Sequence, residues 1–233
     1  MNALFASQCL AIEHNGQHFL LHPQRVMYWP AQKTLLVADV HVGKEHVFGR
    51  QGIGIPGGIS ESTLRHLFIL ANDSGAERLI VLGDFMHAVP HSSEPWLSVL
   101  TQLMDQHTQL TVEIVAGNHD REKGRSIVDS RIIWHPVCLM TGPLVLQHEP
   151  GKDDRGFVLS GHLHPVWRLG TARRGGVRAP VFWFREHCAV LPAFGEFTGG
   201  VVIEPDAQKD KLYITGPNCV MAVPTHIRDV VRQ

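Results

Sequence analysis

An α/β fold is predicted for this 233-residue chain by three observations. Short apolar runs that stop at a polar cluster recur three times in the first half. Apolar side chains at helical spacing separate each successive pair of these runs, and the second half holds short strand-like runs with little helical periodicity.

The elements follow in order. Segments around Cys9 to Ile12 and His18 to Leu21 flank Asn15-Gly16, a dipeptide suited to a type I′ hairpin turn. Thr34 to Val37 is an apolar run ending at Asp39. A helix is then expected between Ser60 as N-cap and Gly75 as C′ residue, with Leu64, Leu67, Phe68 and Ala71 on its buried face. The unit repeats: Arg78 to Leu82 runs into Gly83-Asp84, and a helix from about Glu94 to His107 carries Trp96, Leu97, Leu100 and Leu103. Thr111 to Val115 then runs into Gly117-Asn118-His119-Asp120. In open α/β sheets the loops at the carboxyl ends of strands converge, which would bring Asp39, Asp84 and Asn118 together. The later strands are placed at Val137 to Met140, Leu144 to Gln147, Phe157 to Leu159, Val181 to Phe184, Cys188 to Leu191, Val201 to Ile203 and Lys211 to Thr215. No linker or low-complexity run divides the chain, so residues 1–233 are expected to form one domain.

Composition narrows the function classes. Formal net charge is -1, so the summed field neither draws nor repels a polyanion, and a nucleic acid must be met by a local patch. Four scattered cysteines lack a CxxC pair, which argues against a zinc ribbon or a disulfide scaffold. The start lacks the features of a signal peptide and no apolar run spans a bilayer, so a cytoplasmic protein with no membrane partner is expected. Sixteen histidines, several beside Asp or Asn, point to metal chemistry.

Five clusters carry that chemistry: Asp39-Val40-His41, Gly83-Asp84, Gly117-Asn118-His119-Asp120, Gln147-His148 and Gly161-His162-Leu163-His164. Mixed imidazole and carboxylate donors suit Mn, Fe, Zn or Co. Residue pairs two apart, 39 with 41 and 162 with 164, would point both donors the same way from extended backbone. Two divalent ions beside only two carboxylates, those of Asp39 and Asp84, retain net positive charge toward a phosphate even with a bridging hydroxide.

In this order and spacing, DxH, GD, GNHD, H and GHxH resemble the calcineurin-like metallophosphoesterase superfamily over residues 34 to 165. The resemblance implies a four-layer sandwich of two mixed β-sheets flanked by helices. It implies a first metal on Asp39, His41, Asp84 and His164, and a second on Asp84, Asn118, His148 and His162, with Asp84 bridging. It implies that His119 acts as general acid or leaving-group stabiliser; Asp120, the carboxylate nearest it in sequence, is the second catalytic candidate. Two divalent ions are implied as cofactors, Mn2+ first, with Fe, Zn, Co or Ni as alternatives. The expected reaction is hydrolysis of a phosphodiester by a metal-bridging hydroxide. The flanking strings DVHVGKEHVFGRQGIGIP, SGHLHPVWRL and LPAFGEFTGG are similar to those of bacterial ligase-associated DNA damage response endonucleases. That similarity implies DNA as the phosphoester substrate and functional association with a DNA ligase and a helicase. A phosphomonoesterase or nucleotide pyrophosphatase would use the same ligands, and a non-catalytic scaffold would be expected to have lost some of them.

Many members of the superfamily have GDxxD, whereas His87 stands third after Asp84 here. The group that orients His119 is then either Asp120 or a main-chain carbonyl. Lys44, Arg50 and His87 are candidate substrate contacts, with His46 and His91 also beside the site loops. His14, His18, His22, His66, His107 and His226 belong to no cluster and are expected to be structural. Arg168, Arg173, Arg174, Arg178 and Arg185 alternate with Trp167, Phe182, Trp183 and Phe184, which offers two readings. One is a stacking surface for nucleic acid; the favoured one is a hairpin whose aromatics are core. Phe194 to Gly200 is rich in glycine without an evident function.

Overall fold

Seven strands from the first part of the chain build one sheet in unbroken chain order. The computed structural model describes residues 1–169, 176–196 and 198–224. The strands are β1 (Leu10–His14), β2 (Gln17–Leu21), β3 (Met27–Trp29), β4 (Thr34–Val37), β5 (Arg78–Leu82), β6 (Thr111–Val115) and β7 (Ile133–His135). β1 to β4 form an antiparallel meander, and β4 to β7 are parallel. The β1–β2 turn has positive φ at both Asn15 (49°) and Gly16 (70°), as a type I′ turn requires.

Helices make the crossovers. α1 (Ala3–Gln8) precedes the sheet, α2 (Lys44–Arg50) and α3 (Ile59–Ser74) join β4 to β5, α4 (Pro95–Gln106) joins β5 to β6, and α5 (Glu122–Arg125) follows β6. α3 ends at Gly75, whose φ of 70° allows its N–H to reach Ala71 and Asn72 carbonyls. Its N-cap is Gly58 rather than Ser60. Ser60 lies inside the helix because its hydroxyl is used elsewhere: it donates to Glu45 Oε2 at 2.6 Å and accepts from the Gly43 N–H at 2.7 Å. A buried serine thus ties α2 to α3.

The second sheet holds β8 (Cys138–Thr141), β9 (Leu144–Gln147), β10 (Phe157–Ser160), β11 (Pro165–Leu169), β12 (Val177–Phe184), β13 (Cys188–Val190), β14 (Val201–Val202), β15 (Lys211–Thr215) and β16 (Val220–Ala222). Its order is β14-β11-β12-β13-β10-β9-β8, with β15 on β12 and β16 on β15. Both parallel and antiparallel pairs occur in each sheet.

Alternation along the central strands explains the layers. Leu35, Val37, Leu79, Val81, Val112 and Ile114 face the helices, packing on Leu64, Phe68 and Leu100. Leu36, Ala38, Ile80, Leu82 and Val115 face the other way, onto Leu144, Leu146, Leu159, Phe182 and Phe184 of the second sheet. These strands are apolar on both faces because they are buried on both. Trp167, Val181, Trp183 and Leu212 form a further cluster with Ile203 and Val223. All of the described helices precede Ser126.

The favoured reading of the Arg–aromatic stretch holds for its described residues. Trp167, Phe182, Trp183 and Phe184 are buried, and the Arg185 guanidinium lies over Trp183 at 4.7 Å. Arg173, Arg174 and His226 lie outside the described residues. Among the described residues, no helix is long and apolar enough to cross a membrane.

His22 is structural, as expected, and carries a testable consequence. It is buried, stacked on Phe5 at 4.5 Å, with Nε2 on Gln8 Oε1 at 3.1 Å and Nδ1 accepting the Gln24 N–H at 3.2 Å. Both ring nitrogens are satisfied only in the neutral form. Burial, followed by nearby His66, lowers its pKa to about 4 against a counteracting pull from Asp73. The folded value lies below the unfolded one, so this contribution is intact above about pH 6.5 and drains away as pH falls toward 4. Urea titration at pH 7.5 and pH 5 should show a stability loss smaller in His22→Gln than in the parent by on the order of 1–2 kcal/mol.

Candidate metal centre

Parallel strands place the site. β4, β5 and β6 present their carboxyl ends at one sheet edge, so the loops starting at Asp39, Asp84 and Asn118 lie side by side. The first two loops are hydrogen-bonded together: the Asp39 N–H donates to the Gly83 carbonyl, His41 to Asp84 and Val42 to Phe85. β9 and β10 are also parallel and deliver His148 and the Gly161–His164 turn from the second sheet. The two sheets meet at a parallel bridge between Ala38 and Ala193.

Backbone conformation then aims the donors. Asp39 (φ 54°), His41 (51°), Asp84 (50°), His162 (71°) and His164 (47°) are all left-handed, five of eight such non-glycine residues among the described residues. Left-handed backbone costs an ordinary residue about 1–3 kcal/mol, so five at one place mark a functional site. This corrects the extended-strand expectation for the 39/41 and 162/164 pairs. Their side chains converge because tight turns hold them, not because a strand alternates.

The donors fall into three groups, one of them His41, His87 and His119, which shares His41 with the next. Donor atoms of Asp39, His41 and His164 lie within 4.8 Å of one another, as do those of Asp84, His148 and His162. Asn118 Oδ1 is 2.9 Å from His148 Nε2, which adds it to the last group. Asp84 lies between the last two, with Oδ2 at 3.4 Å from His148 Nε2 and 3.9 Å from His41 Nε2. Asp39, Asp84, His41 and His148 form a buried floor, and Asn118 and His162 are exposed at the mouth. All seven sequence-derived ligand candidates are therefore brought together.

Hydrogen bonds outside the groups test whether these residues suit metals. His148 Nδ1 is 3.1 Å from the Leu82 carbonyl and His164 Nδ1 is 3.1 Å from the Thr198 carbonyl. Each carbonyl requires the ring proton at Nδ1, leaving an Nε2 lone pair turned into the site. Those lone pairs meet other donors: His148 Nε2 is 3.0 Å from His162 Nδ1, and His41 Nε2 is 3.4 Å from His164 Nε2. Ligands about 2.1 Å from one ion sit about 3.0 Å apart in octahedral and about 3.4 Å apart in tetrahedral coordination. The donor set and its spacing fit divalent cations.

Electrostatics agrees. Burial works against charging the His148 ring, but Asp84, the Leu82 carbonyl and Asp39 outweigh it and raise the pKa to about 9. The pocket thus draws positive charge. For His41, burial dominates over the pull of Asp84 and lowers the pKa to about 3, keeping its ring a neutral donor.

Three glycines are dictated by these candidate ligands. A Cβ on Gly83 would lie 2.0 Å from His148 Nδ1, one on Gly117 2.2 Å from Asp84 Oδ1, and one on Gly161 2.6 Å from Asp39 Oδ2. The glycine-rich segment after β13 has the same logic. Phe194 and Gly195 N–H groups donate to the Ala38 and Asp39 carbonyls, and a Cβ on Gly195 would strike Val40 O at 2.3 Å. Phe197 lies outside the described residues.

His119 is oriented by a main-chain carbonyl. Its Nδ1 is 2.7 Å from His87 O, leaving Nε2 as the outward nitrogen, and its ring stacks on that of His87 at 5.0 Å. Asp120 is buried and turned away, with its carboxylate accepting the Phe85, Met86 and Gly117 N–H groups at 3.2, 2.9 and 2.9 Å. It joins two ligand loops, and burial leads in raising its pKa to about 6.

The substrate-contact candidates divide. His87 lies at the site, with Nδ1 3.4 Å from His41 Nδ1. Lys44 starts α2 beside it, its ammonium 5.7 Å from the Phe48 ring and its pKa lowered by burial. Arg50 pairs with Glu94 at 2.9 Å, because Glu94 is held between that arginine and the Trp96 indole. His91 donates its N–H to the same Glu94, and His46 approaches Glu45 at 3.9 Å. The carbonyls of Leu82, His87 and Thr198 were not foreseen, since main-chain acceptors leave no mark in side-chain identity.

No protein-family model matches the chain, and no curated protein matches it. Solved structures do. A nuclease MPE from Pseudomonas putida is 38% identical, over 92% of this chain and 100% of that one, with a TM-score of 0.78. Yfce, a phosphoesterase from E. coli, is 13% identical over 84% of this chain and 94% of its own, with a TM-score of 0.42.

Proposed function

Because this chain belongs to the calcineurin-like metallophosphoesterase superfamily, we propose that it hydrolyses phosphodiester bonds in nucleic acid, with DNA as its substrate class. The observation that carries the proposal is the pair of donor groups with Asp84 lying between them, in a chain 38% identical to a nuclease. Asp39, His41, Asp84 and His164 are assigned to one ion, and Asp84, Asn118, His148 and His162 to the other. Mixed imidazole, carboxylate and amide donors suit Mn2+ first, then Fe, Zn, Co or Ni. Two such ions, when bound there, would supply Lewis acidity toward phosphoryl oxygens and would lower the pKa of a water for use as the nucleophile.

The protein's own side chains do the rest. His119, fixed at Nδ1 by the His87 carbonyl, holds a proton at Nε2 and delivers it to the departing alkoxide. His87 stacks against that ring and limits its rotation. Lys44 places positive charge at the edge of the phosphate site.

A chromogenic phosphodiester and the corresponding monoester, each with Mn2+-loaded protein, test the reaction class. Faster diester hydrolysis, abolished by chelator, is expected. Faster monoester hydrolysis would overturn the reading in favour of a phosphatase. His119→Ala should lower kcat on an alkyl-leaving-group diester by about 10²–10⁴ with metal content unchanged. On a nitrophenyl diester, whose leaving group needs no proton, the loss should be much smaller.

A further inference from the structure

Beside the metal centre, His41, Lys44, Ser60, Thr63 and Glu196 line a small cavity of about 10 Å3, room for about one water. Thr63 and Glu196 also line an open cleft of about 590 Å3 that reaches Arg25, His66, Phe194 and Pro217. The floor of this cleft is the Phe194–Glu196 segment, whose backbone also pins the Asp39 loop. His66 lies flat on Phe194, with ring centroids 5.9 Å apart and planes 12° apart.

Arg25 is the unusual group there. It is half-buried and left-handed (φ 64°), and Nη1 is held on the Ala193 carbonyl at 3.2 Å, beside the bridge that joins the two sheets. That is one acceptor for a guanidinium with five N–H donors. Arg50, Arg78, Arg131 and Arg155 each pair with a carboxylate at 2.6–2.9 Å. No carboxylate among the described residues lies within ion-pair distance of Arg25; Glu196 is its nearest electrostatic counterpart and acts at longer range. A partly desolvated cation with unused donors, fixed in a cleft, is a site for an oxyanion.

We propose that Arg25 binds a second phosphate of a polynucleotide whose scissile phosphate occupies the metal centre, the chain crossing the surface over the rim formed by Thr63 and the exposed Glu196. The proposal rests on the nucleic-acid reading above. Lys44, Glu196 and Arg25 then offer, in order along the path, a cation, an acceptor and a cation. Glu196 faces the neutral donors of the intervening nucleotide, its base N–H groups.

Arg25→Asn tests this, because asparagine tolerates left-handed backbone. Steady-state rates are measured on a single-stranded DNA oligonucleotide and on bis(p-nitrophenyl) phosphate, which is too short to extend beyond the scissile phosphate. The expected result is a five- to tenfold rise in KM for the oligonucleotide, with kcat and the small-diester rate each within twofold of wild type. The slope of log KM against log salt should fall by about 0.7, the loss of one single-strand phosphate contact. Arg155→Gln, remote from the cleft and paired with Asp153, serves as the charge control. Equal loss on both substrates would reduce Arg25 to a structural role, and no loss on either would also overturn the proposal. Wild-type protein that cleaves the small diester but neither cleaves nor binds the oligonucleotide removes the nucleic-acid reading itself and this inference with it.

Discussion

Asp84→Asn should lower kcat by about 10³ or more while the protein remains folded and its metal content falls below two ions per chain. Three features of the residue produce this separation. Its Oδ2 lies between the two donor groups, 3.4 Å from His148 Nε2 and 3.9 Å from His41 Nε2, so it is the carboxylate that both ions would share. Its Oδ1 accepts the His119 N–H at 2.9 Å, so it also fixes the backbone of the proposed acid. Burial alone would push the carboxyl toward its neutral form. The hydrogen bonds from His148 and the His119 N–H reverse this and hold its pKa below the ordinary range. Asparagine keeps the shape and tolerates φ of 50° but removes the charge. Metal analysis of the purified variant beside its thermal melt checks the prediction. A variant that keeps two ions and near-parental turnover would remove Asp84 from its bridging role.

Gly83→Ala should be nearly as damaging although it deletes no donor. A methyl group there would lie 2.0 Å from His148 Nδ1 and 2.3 Å from its Cγ, and the backbone has φ of 82°. Left-handed strain costs alanine about 1–2 kcal/mol. The overlap can be relieved only by moving His148, which breaks the bond to the Leu82 carbonyl that sets its tautomer. We expect a destabilisation of about 3–5 kcal/mol, a Tm lower by roughly 10 °C, and loss of the ion held by His148 and His162. Gly57→Ala is the comparison: its added Cβ has nothing within 4 Å, and its Tm should stay within about 2 °C of the parent. Calorimetry with metal analysis on both variants separates a local clash from a general intolerance of alanine.

The βα units at β4 with α3 and at β5 with α4 were legible because two periodicities coincide in them. Leu35/Val37 and Leu36/Ala38 alternate between two cores, and Leu64, Leu67 and Phe68 share one helical face. The candidate donors were legible because Asp and His at loop starts are side-chain facts. Their means of convergence was not, since neighbouring residues in left-handed turns leave no compositional trace when the residues are His and Asp rather than glycine. The helices α1 and α2, of six and seven residues, are too short to establish a period, and α2 starts from a left-handed Gly43 without a side-chain cap. Ser60 misled because a serine before an apolar run is a capping signal, whereas here tertiary bonds to Glu45 and Gly43 occupy its hydroxyl. Arg50 was credited to substrate because its partner Glu94 lies 44 positions away, beyond the reach of local pattern.

The contact between the Asp39 loop and the Gly161–His164 turn joins residues 123 positions apart, and the Phe194–Gly195 backbone closes over the same loop later still. During synthesis the first sheet can pair its strands in chain order as they emerge, but His148, His162 and His164 arrive only with the later part of the chain. The nascent protein therefore holds Asp39, His41 and Asp84 without their partners for a substantial part of its synthesis, and such long-range closure is slow. If this site holds metal as proposed, tight capture would be a late event in the life of the chain, set by the ions present when its last strands dock.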